Sequence, residues 1–115
     1  MIEEAVSYIE GKLSEYNLFG ELVRQVEKDF RMSVDTSITF TADTPSKLVY
    51  EVYNELHKII SMTTVAKFSS LLYRIDIAEK EIKAIHSVDI EDYLKQVTYI
   101  ILKREFQKVY IRSTL

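Results

Sequence analysis

The sequence contains no cysteine, no tryptophan, one proline and two glycines. Without cysteine, the chain has no disulfide, no thiolate metal site and no cysteine nucleophile. So few glycines and prolines supply few of the tight turns that a series of β-hairpins requires, which favours helices joined by short loops. No apolar run approaches the roughly 18 residues that span a membrane, so we expect no membrane association. The first residues, M-I-E-E-A-V, are acidic and amphipathic, unlike a signal peptide, so the cytoplasm is the expected location.

The composition is that of a globular chain. The 115 residues are 47% hydrophobic and 29% charged, so we expect a single domain, 1–115, with a workable core. The net charge of −3 is unevenly spread: residues 1–60 hold 6 basic and 11 acidic side chains, and the remaining residues hold 9 basic and 7 acidic. An acidic total argues against a nucleic-acid partner, which normally meets a basic surface.

The stretch from Asp89 to Arg112 has no glycine or proline and predicts a long C-terminal helix. Asp89 is its predicted N-cap, and Val88 and Tyr93 stand at the positions of a hydrophobic staple. Its first half places apolar side chains on one face: Ile90, Tyr93, Leu94, Val97, Ile100 and Ile101. Its second half places them on another face: Tyr99, Leu102, Phe106, Val109 and Tyr110. A helix that changes its apolar face passes between two packing environments, so we expect the second half to pack on the N-terminal helix or on another subunit.

A heptad-like spacing from Ile2 to Phe30 predicts a long N-terminal helix, with Gly20 and Glu27 as imperfect members of the apolar stripe. One helix bent near Gly20 is favoured over two helices broken around residues 17–20. Glu27 either pairs with a cation from another helix or marks where the stripe leaves the core. The other carboxylates of this stretch, Asp29 among them, are interpreted as solvated.

Residues 33–44 are predicted to form an extended loop that places Ile38 and Phe40 over the helices. As a strand, this segment would have no partner within the chain. Thr44 and Pro45 then predict a helix start, with Thr44 as N-cap and proline at the first helical position.

The remaining stretch predicts two short helices before the long final one. The first runs from about Val65 to Ile75, with Val65 inward, and Asp76 with Glu79 resembles a capping box that starts the second. The expected fold is therefore all-α: an antiparallel bundle of about five helices with a long N-terminal and a long C-terminal helix. The two short helices are expected to close one end.

No residue pattern carries recognisable chemistry. A metal site on helices needs carboxylates three or four residues from histidine, but Asn54 precedes His57 and Lys83 precedes His86 at that spacing. We therefore assign no catalytic, metal-binding or cofactor-binding residue, and we favour a non-enzymatic protein over an enzyme. A basic row on the final helix is interpreted as a solvated face rather than a phosphate-binding surface: Lys103, Arg104, Lys108 and Arg112.

The predicted function is a non-enzymatic protein–protein interaction module that self-associates as a homodimer or binds another protein. Its candidate interface comprises the second apolar set of the final helix and two loop residues: Tyr99, Leu102, Phe106, Val109, Tyr110, Ile38 and Phe40. One alternative is a small-ligand-binding protein or enzyme with a pocket between helices. Another is an acidic inhibitor that uses the negative first half of the chain to bind a basic partner.

Two segments carry a resemblance. L-L-Y-R-I-D-I-A-E-K-E-I at residues 71–82, followed by I-I-L-K-R-E-F-Q-K-V at 100–109, resembles a group of small uncharacterised all-helical bacterial proteins of unknown function. The resemblance implies a bacterial, cytoplasmic helical domain and implies nothing about mechanism.

Overall fold

A computed structural model describes residues 2–62 and 65–114, with the backbone alone at 13–16. Over those ranges the chain forms six helices and no strand, which confirms the all-α prediction. The helices are α1 (Ile2–Tyr16), α2 (Phe19–Ser33), α3 (Pro45–Met62), α4 (Val65–Ile75), α5 (Glu79–Lys83) and α6 (Ile90–Thr114). The Cα radius of gyration is 13.3 Å, close to the ~13 Å of one compact body of this length. No helix in the described ranges is long and apolar enough to cross a membrane.

The favoured single N-terminal helix is wrong, because the chain breaks into α1 and α2. The break lies at Asn17, whose φ of 54° is left-handed, a conformation that asparagine tolerates better than most residues. Gly20 lies inside α2 and is not the breaking residue. The two helices also have different neighbours: α1 packs against α3 and α6, and α2 packs against α4 and α6. The heptad-like spacing is therefore shared by two helices that bury their stripes in different places.

Helix α6 is central, with α1, α2, α3 and α4 packed around it. Its buried residues form one continuous stripe: Leu94, Val97, Thr98, Ile101, Leu102, Glu105, Phe106 and Val109. Their spacing alternates between three and one, a repeat of four residues against about 3.6 per helical turn, so the buried stripe winds around α6 and the predicted change of face is confirmed. Thr98 and Glu105 are the polar members of this stripe, and Tyr99 and Phe106 lie against Tyr8 of α1, one of the two environments predicted for the second half.

The predicted N-caps are confirmed. The backbone N–H of Asp92 donates to Asp89 Oδ1 at 2.8 Å, and that of Lys47 donates to Thr44 Oγ1 at 3.2 Å. The hydrophobic staple is wrong, because Val88 is 91% exposed. Caps depend on groups within one turn of the chain, whereas the staple depends on how the chain enters the helix.

The expected capping box at Asp76 is also wrong. Asp76 has a φ of 73° and ends α4 instead of starting α5. The backbone N–H of Ile77 donates to Leu72 O at 3.0 Å, and that of Asp76 donates to Tyr73 O at 3.1 Å. These two bonds form a Schellman motif with aspartate at the left-handed position. Val65, which was expected to point inward, is exposed.

The loop from residue 34 to 44 is held by carboxylates of the helices beside it. Glu27 Oε2 accepts the backbone N–H of Phe40 at 2.9 Å, and Glu51 accepts the next two backbone N–H groups, each at 2.9 Å. Glu27 also pairs with Arg31 of its own helix at 3.5 Å. Neither expectation for Glu27 is therefore correct. Glu27 accepts a hydrogen bond from the loop, and it neither pairs with a cation from another helix nor marks where the stripe leaves the core.

Candidate binding cleft between α2, α4 and α6

Two helices bring polar residues to their buried stripes. Helix α2 buries Leu22, Gln25, Val26, Asp29 and Phe30, with the same alternation of three and one as α6. Asp29 is 2% exposed and Glu105 of α6 is 0% exposed. We call these two residues the carboxyl pair. A carboxyl group loses hydration on burial, so each must be protonated or paired with a cation.

Asp29 binds two cations from other helices. Its Oδ1 lies 3.1 Å from Arg74 Nε of α4, and its Oδ2 lies 2.7 Å from Lys108 Nζ of α6. Gln25 Nε2 also donates to Oδ2 at 3.0 Å. Burial raises the pKa of Asp29, but hydrogen bonds with Glu105, Lys108 and Gln25 outweigh it and hold the pKa below its usual value. Asp29 is therefore ionised at neutral pH.

Glu105 has the opposite protonation state at neutral pH. Burial raises its pKa to about 9, and a hydrogen bond to Asp29 and the charge of Asp29 add to that effect. Lys108 Nζ lies 3.1 Å from Oε1, yet no described residue donates a well-aligned hydrogen bond to either oxygen. The cation beside a Glu105 carboxylate is Lys108, which also binds Asp29, whereas a protonated Glu105 can share its proton with Asp29. The carboxyl pair therefore carries one negative charge at neutral pH.

The interpretation of the basic row as a solvated face is wrong for Arg104 and Lys108, which are half-buried, whereas Lys103 and Arg112 are exposed. Arg104 donates to Asp76 Oδ2 at 2.9 Å, and Lys108 binds the carboxyl pair. Arg112 Nη1 donates to Gln25 Oε1 at 2.9 Å. The row faces neighbouring structure because α2 and the turn after α4 both meet α6 on that side, which the pattern of one helix does not show.

An open cleft of about 520 Å³ lies between these three helices, and we call it the cationic cleft. Its lining contains one ionised carboxylate, Asp29, and four cations: Lys28, Arg74, Lys108 and Arg112. The cations therefore exceed the anion by three. Met32 and Tyr73, which are 63% and 87% exposed, also line the cationic cleft.

Tyr73 also borders a second depression, of about 350 Å³, between α4 and α5. We call it the apolar groove, because four of its lining residues are apolar: Phe68, Leu72, Ile77 and Ile82. Tyr73 thus stands between a cationic and an apolar surface.

The structure does not bring the seven candidate interface residues together on one surface. Leu102, Phe106, Val109, Ile38 and Phe40 are buried within the single chain, and Tyr99 and Tyr110 are half-buried. The rings of Tyr99 and Phe106 lie 6.0 and 6.2 Å from that of Tyr8 in α1. The ring of Phe40 instead lies 5.2 Å from that of Phe30 in α2. Their apolar character is satisfied inside the chain, so these side chains do not indicate a second subunit.

Asp29 and Glu105 were missed because aspartate and glutamate on a helix are normally solvated. Their spacing nevertheless indicated burial, because Asp29 and Glu105 each occupy a position in a stripe that alternates at three and one. Within the described ranges, no group of three or more histidine or acidic residues is arranged to hold a metal ion.

Comparison with models of protein families, with curated proteins and with solved structures gives no match. The resemblance to small helical bacterial proteins therefore gains no support, and a bacterial, cytoplasmic origin stays a prediction.

Proposed function

We propose that this chain is a non-enzymatic protein–protein interaction module whose cationic cleft and apolar groove bind an acidic segment of a partner protein. The observation that carries the proposal is the excess of three positive charges in the cationic cleft of a chain whose net charge is −3. A local field opposite to that of the whole molecule favours ligands of one sign and speeds their association.

The side chains around the cationic cleft support a protein partner. Arginine, tyrosine and methionine are enriched at protein interfaces, and Arg74, Tyr73 and Met32 lie together at this one. Tyr73 is 87% exposed, so a partner would bury most of an aromatic ring that the folded chain leaves in water. The apolar groove beside it would accept one large apolar side chain of the same segment.

The carboxyl pair does not favour an enzyme. A general acid must come within hydrogen-bond reach of its substrate, whereas Glu105 has no exposed surface. Its proton is held between α2 and α6, where it allows two buried carboxyl groups to lie side by side. That arrangement supports a structural role for the carboxyl pair, because Asp29 binds Arg74 and Lys108 and so positions both cations at the rim of the cationic cleft.

Selection from a displayed library of random peptides tests the proposal. We expect the enriched peptides to combine acidic residues with a large apolar residue. They should lose affinity for the Lys28→Glu variant, because this exposed cation lines the cationic cleft. The matched control is Lys47→Glu, the same charge change at an exposed site on α3. Basic peptides, or peptides that bind the Lys28→Glu variant and the wild type equally, would contradict the proposal.

Self-association stays a prediction, with a second copy as the partner. Residues 1–60 carry the acidic excess, and Glu3, Glu4 and Glu10 are exposed on α1. Light scattering over a wide concentration range distinguishes the two partners. A mass twice the 13.5 kDa of one chain, lost in Lys28→Glu, would identify a second copy as the ligand of the cleft. A constant 13.5 kDa would leave a different protein as the partner.

A further inference from the structure

Two hydrogen-bond donors at the cationic cleft lack a good acceptor. Ser33 Oγ, at the end of α2, is buried and has no hydrogen-bond partner among the described residues. Arg74 Nη2 donates to Met32 Sδ at 2.9 Å, and a thioether sulfur is a weak acceptor. Buried hydroxyl groups are normally paired, and Ser33 lines the cationic cleft, so rotation of its side chain about χ1 would turn the unpaired hydroxyl toward an acceptor bound there.

The charges at the same place specify the acceptor. The cationic cleft is lined by one ionised carboxylate, Asp29, and by four cations: Lys28, Arg74, Lys108 and Arg112. Asp29 pairs with Arg74 and Lys108, but it cancels only one positive charge, so an excess of three positive charges remains. If Glu105 is counted as ionised as well, the excess is two. Either excess matches a dianion better than the single charge of a glutamate or aspartate side chain.

Resting on the proposed function, we infer that the group bound by the cationic cleft is a phosphoryl group on a phosphorylated side chain of the partner segment. A phosphoryl group carries close to two negative charges and three acceptor oxygens. It therefore supplies acceptors for Arg74 Nη2 and for Ser33 Oγ once that side chain rotates toward the cleft, and its second negative charge matches the cationic excess, which the single charge of a carboxylate does not. The apolar groove beyond Tyr73 would take an apolar residue adjacent in the same segment.

The first test uses inorganic phosphate as the probe, followed by ¹H–¹⁵N NMR of backbone amides and arginine side chains. We expect saturable shifts at Ser33, Lys28 and Arg74, with a dissociation constant on the order of 1–10 mM for so small a ligand. Acetate and chloride at equal ionic strength serve as comparison ions and should give weaker, non-saturating shifts. An equal response to acetate, or no saturation with phosphate, would overturn the inference.

Two variants locate the site. Ser33→Ala should weaken phosphate binding roughly three- to tenfold, the effect of one lost hydrogen bond, and should not lower stability because the hydroxyl is unpaired in the chain. Lys28→Ala should weaken it roughly two- to fivefold through one lost exposed charge. The controls, Ser69→Ala and Lys47→Ala, alter residues that do not line the cationic cleft and should leave affinity unchanged. Unchanged affinity in Ser33→Ala would place the phosphate elsewhere.

Peptide ligands then separate the inference from the proposed function. A peptide with one phosphoserine should bind more tightly than the same peptide with glutamate at that position. Should the glutamate peptide bind equally well, the phosphoryl inference fails and the proposed function stands. Should neither peptide nor any selected acidic peptide perturb the cationic cleft, both fail. Tighter binding of a single-stranded oligonucleotide than of the phosphopeptide would overturn the assignment to a protein side chain.

Discussion

Replacing Glu105 with glutamine tests the proton that the core holds between α2 and α6. Glu105 has no exposed surface, and burial together with Asp29 raises its pKa to about 9. In the unfolded chain a glutamate carboxyl titrates near pH ~4.3. Folding therefore takes up a proton at any pH between these values. Glutamine has nearly the same shape and does not ionise, so the uptake disappears in the variant.

The sign and size of the effect follow from linkage. Because the pKa of Glu105 is raised on folding, its stabilising contribution is complete below the unfolded pKa and is lost as the pH rises toward about 9. One proton bound on folding changes the free energy of unfolding by about 1.4 kcal/mol per pH unit. Between about pH 6 and about pH 8, the wild type should therefore lose about 3 kcal/mol that Glu105→Gln retains.

The assay is urea unfolding of both proteins across this pH range, with the difference between them plotted against pH. Other titrating groups cancel in the difference to the extent that the substitution leaves them unperturbed. The free energy of unfolding of Glu105→Gln, minus that of the wild type, should increase as the pH rises. Leu102→Met is the control, because it changes the buried stripe of α6 without adding or removing a titrating group. A difference that does not vary with pH would show that Glu105 is ionised in the folded chain and would refute the reasoning.

Three further substitutions test local features of the fold. Gly11→Ala should raise the free energy of unfolding by roughly 0.5–1 kcal/mol in thermal or urea melts, since the added methyl group meets no heavy atom within 4 Å. Glu51→Ala should cost roughly 1–3 kcal/mol and speed hydrogen exchange at Thr41 and Ala42, whose N–H groups Glu51 accepts. Asp76→Ala should cost roughly 1–2 kcal/mol, because the site has a φ of 73°, and Asp76→Asn should cost less. Equal losses for the two changes at residue 76 would mean that backbone conformation does not matter there.

Local signals in the sequence predicted two helix starts, whereas the staple at Val88 and the capping box at Asp76 were wrong. Thr44 and Asp89 were identified as N-caps because their partners lie three residues away, and the hydrogen bonds confirm them. The break at Asn17 was harder, because apolar spacing continues across it and asparagine tolerates both a helix and a left-handed turn. The spacing alone did not show that α1 and α2 bury their stripes against different neighbours.

The candidate site was beyond local reasoning because its contacts join distant parts of the chain. Arg74 reaches Asp29 across 45 residues, and Lys108 reaches it across 79. Hydropathy places glutamate and aspartate in solvent, so Glu105 was not recognised as a member of the buried stripe of α6. A carboxyl residue at a stripe position of α2 and another at a stripe position of α6 are the signal that would have identified the pair. Which cations join them depends on tertiary packing.

The most direct test of the proposed cleft is an NMR map of the ¹⁵N-labelled chain with the tightest of the selected acidic peptides. We expect amide shifts at residues 25–33 of α2, 69–74 of α4 and 108–113 of α6, with loss of those shifts in Lys28→Glu. Shifts confined to α1, to α3 or to the loop at residues 34–44 would contradict this expectation, because they would place the binding surface away from the cationic cleft.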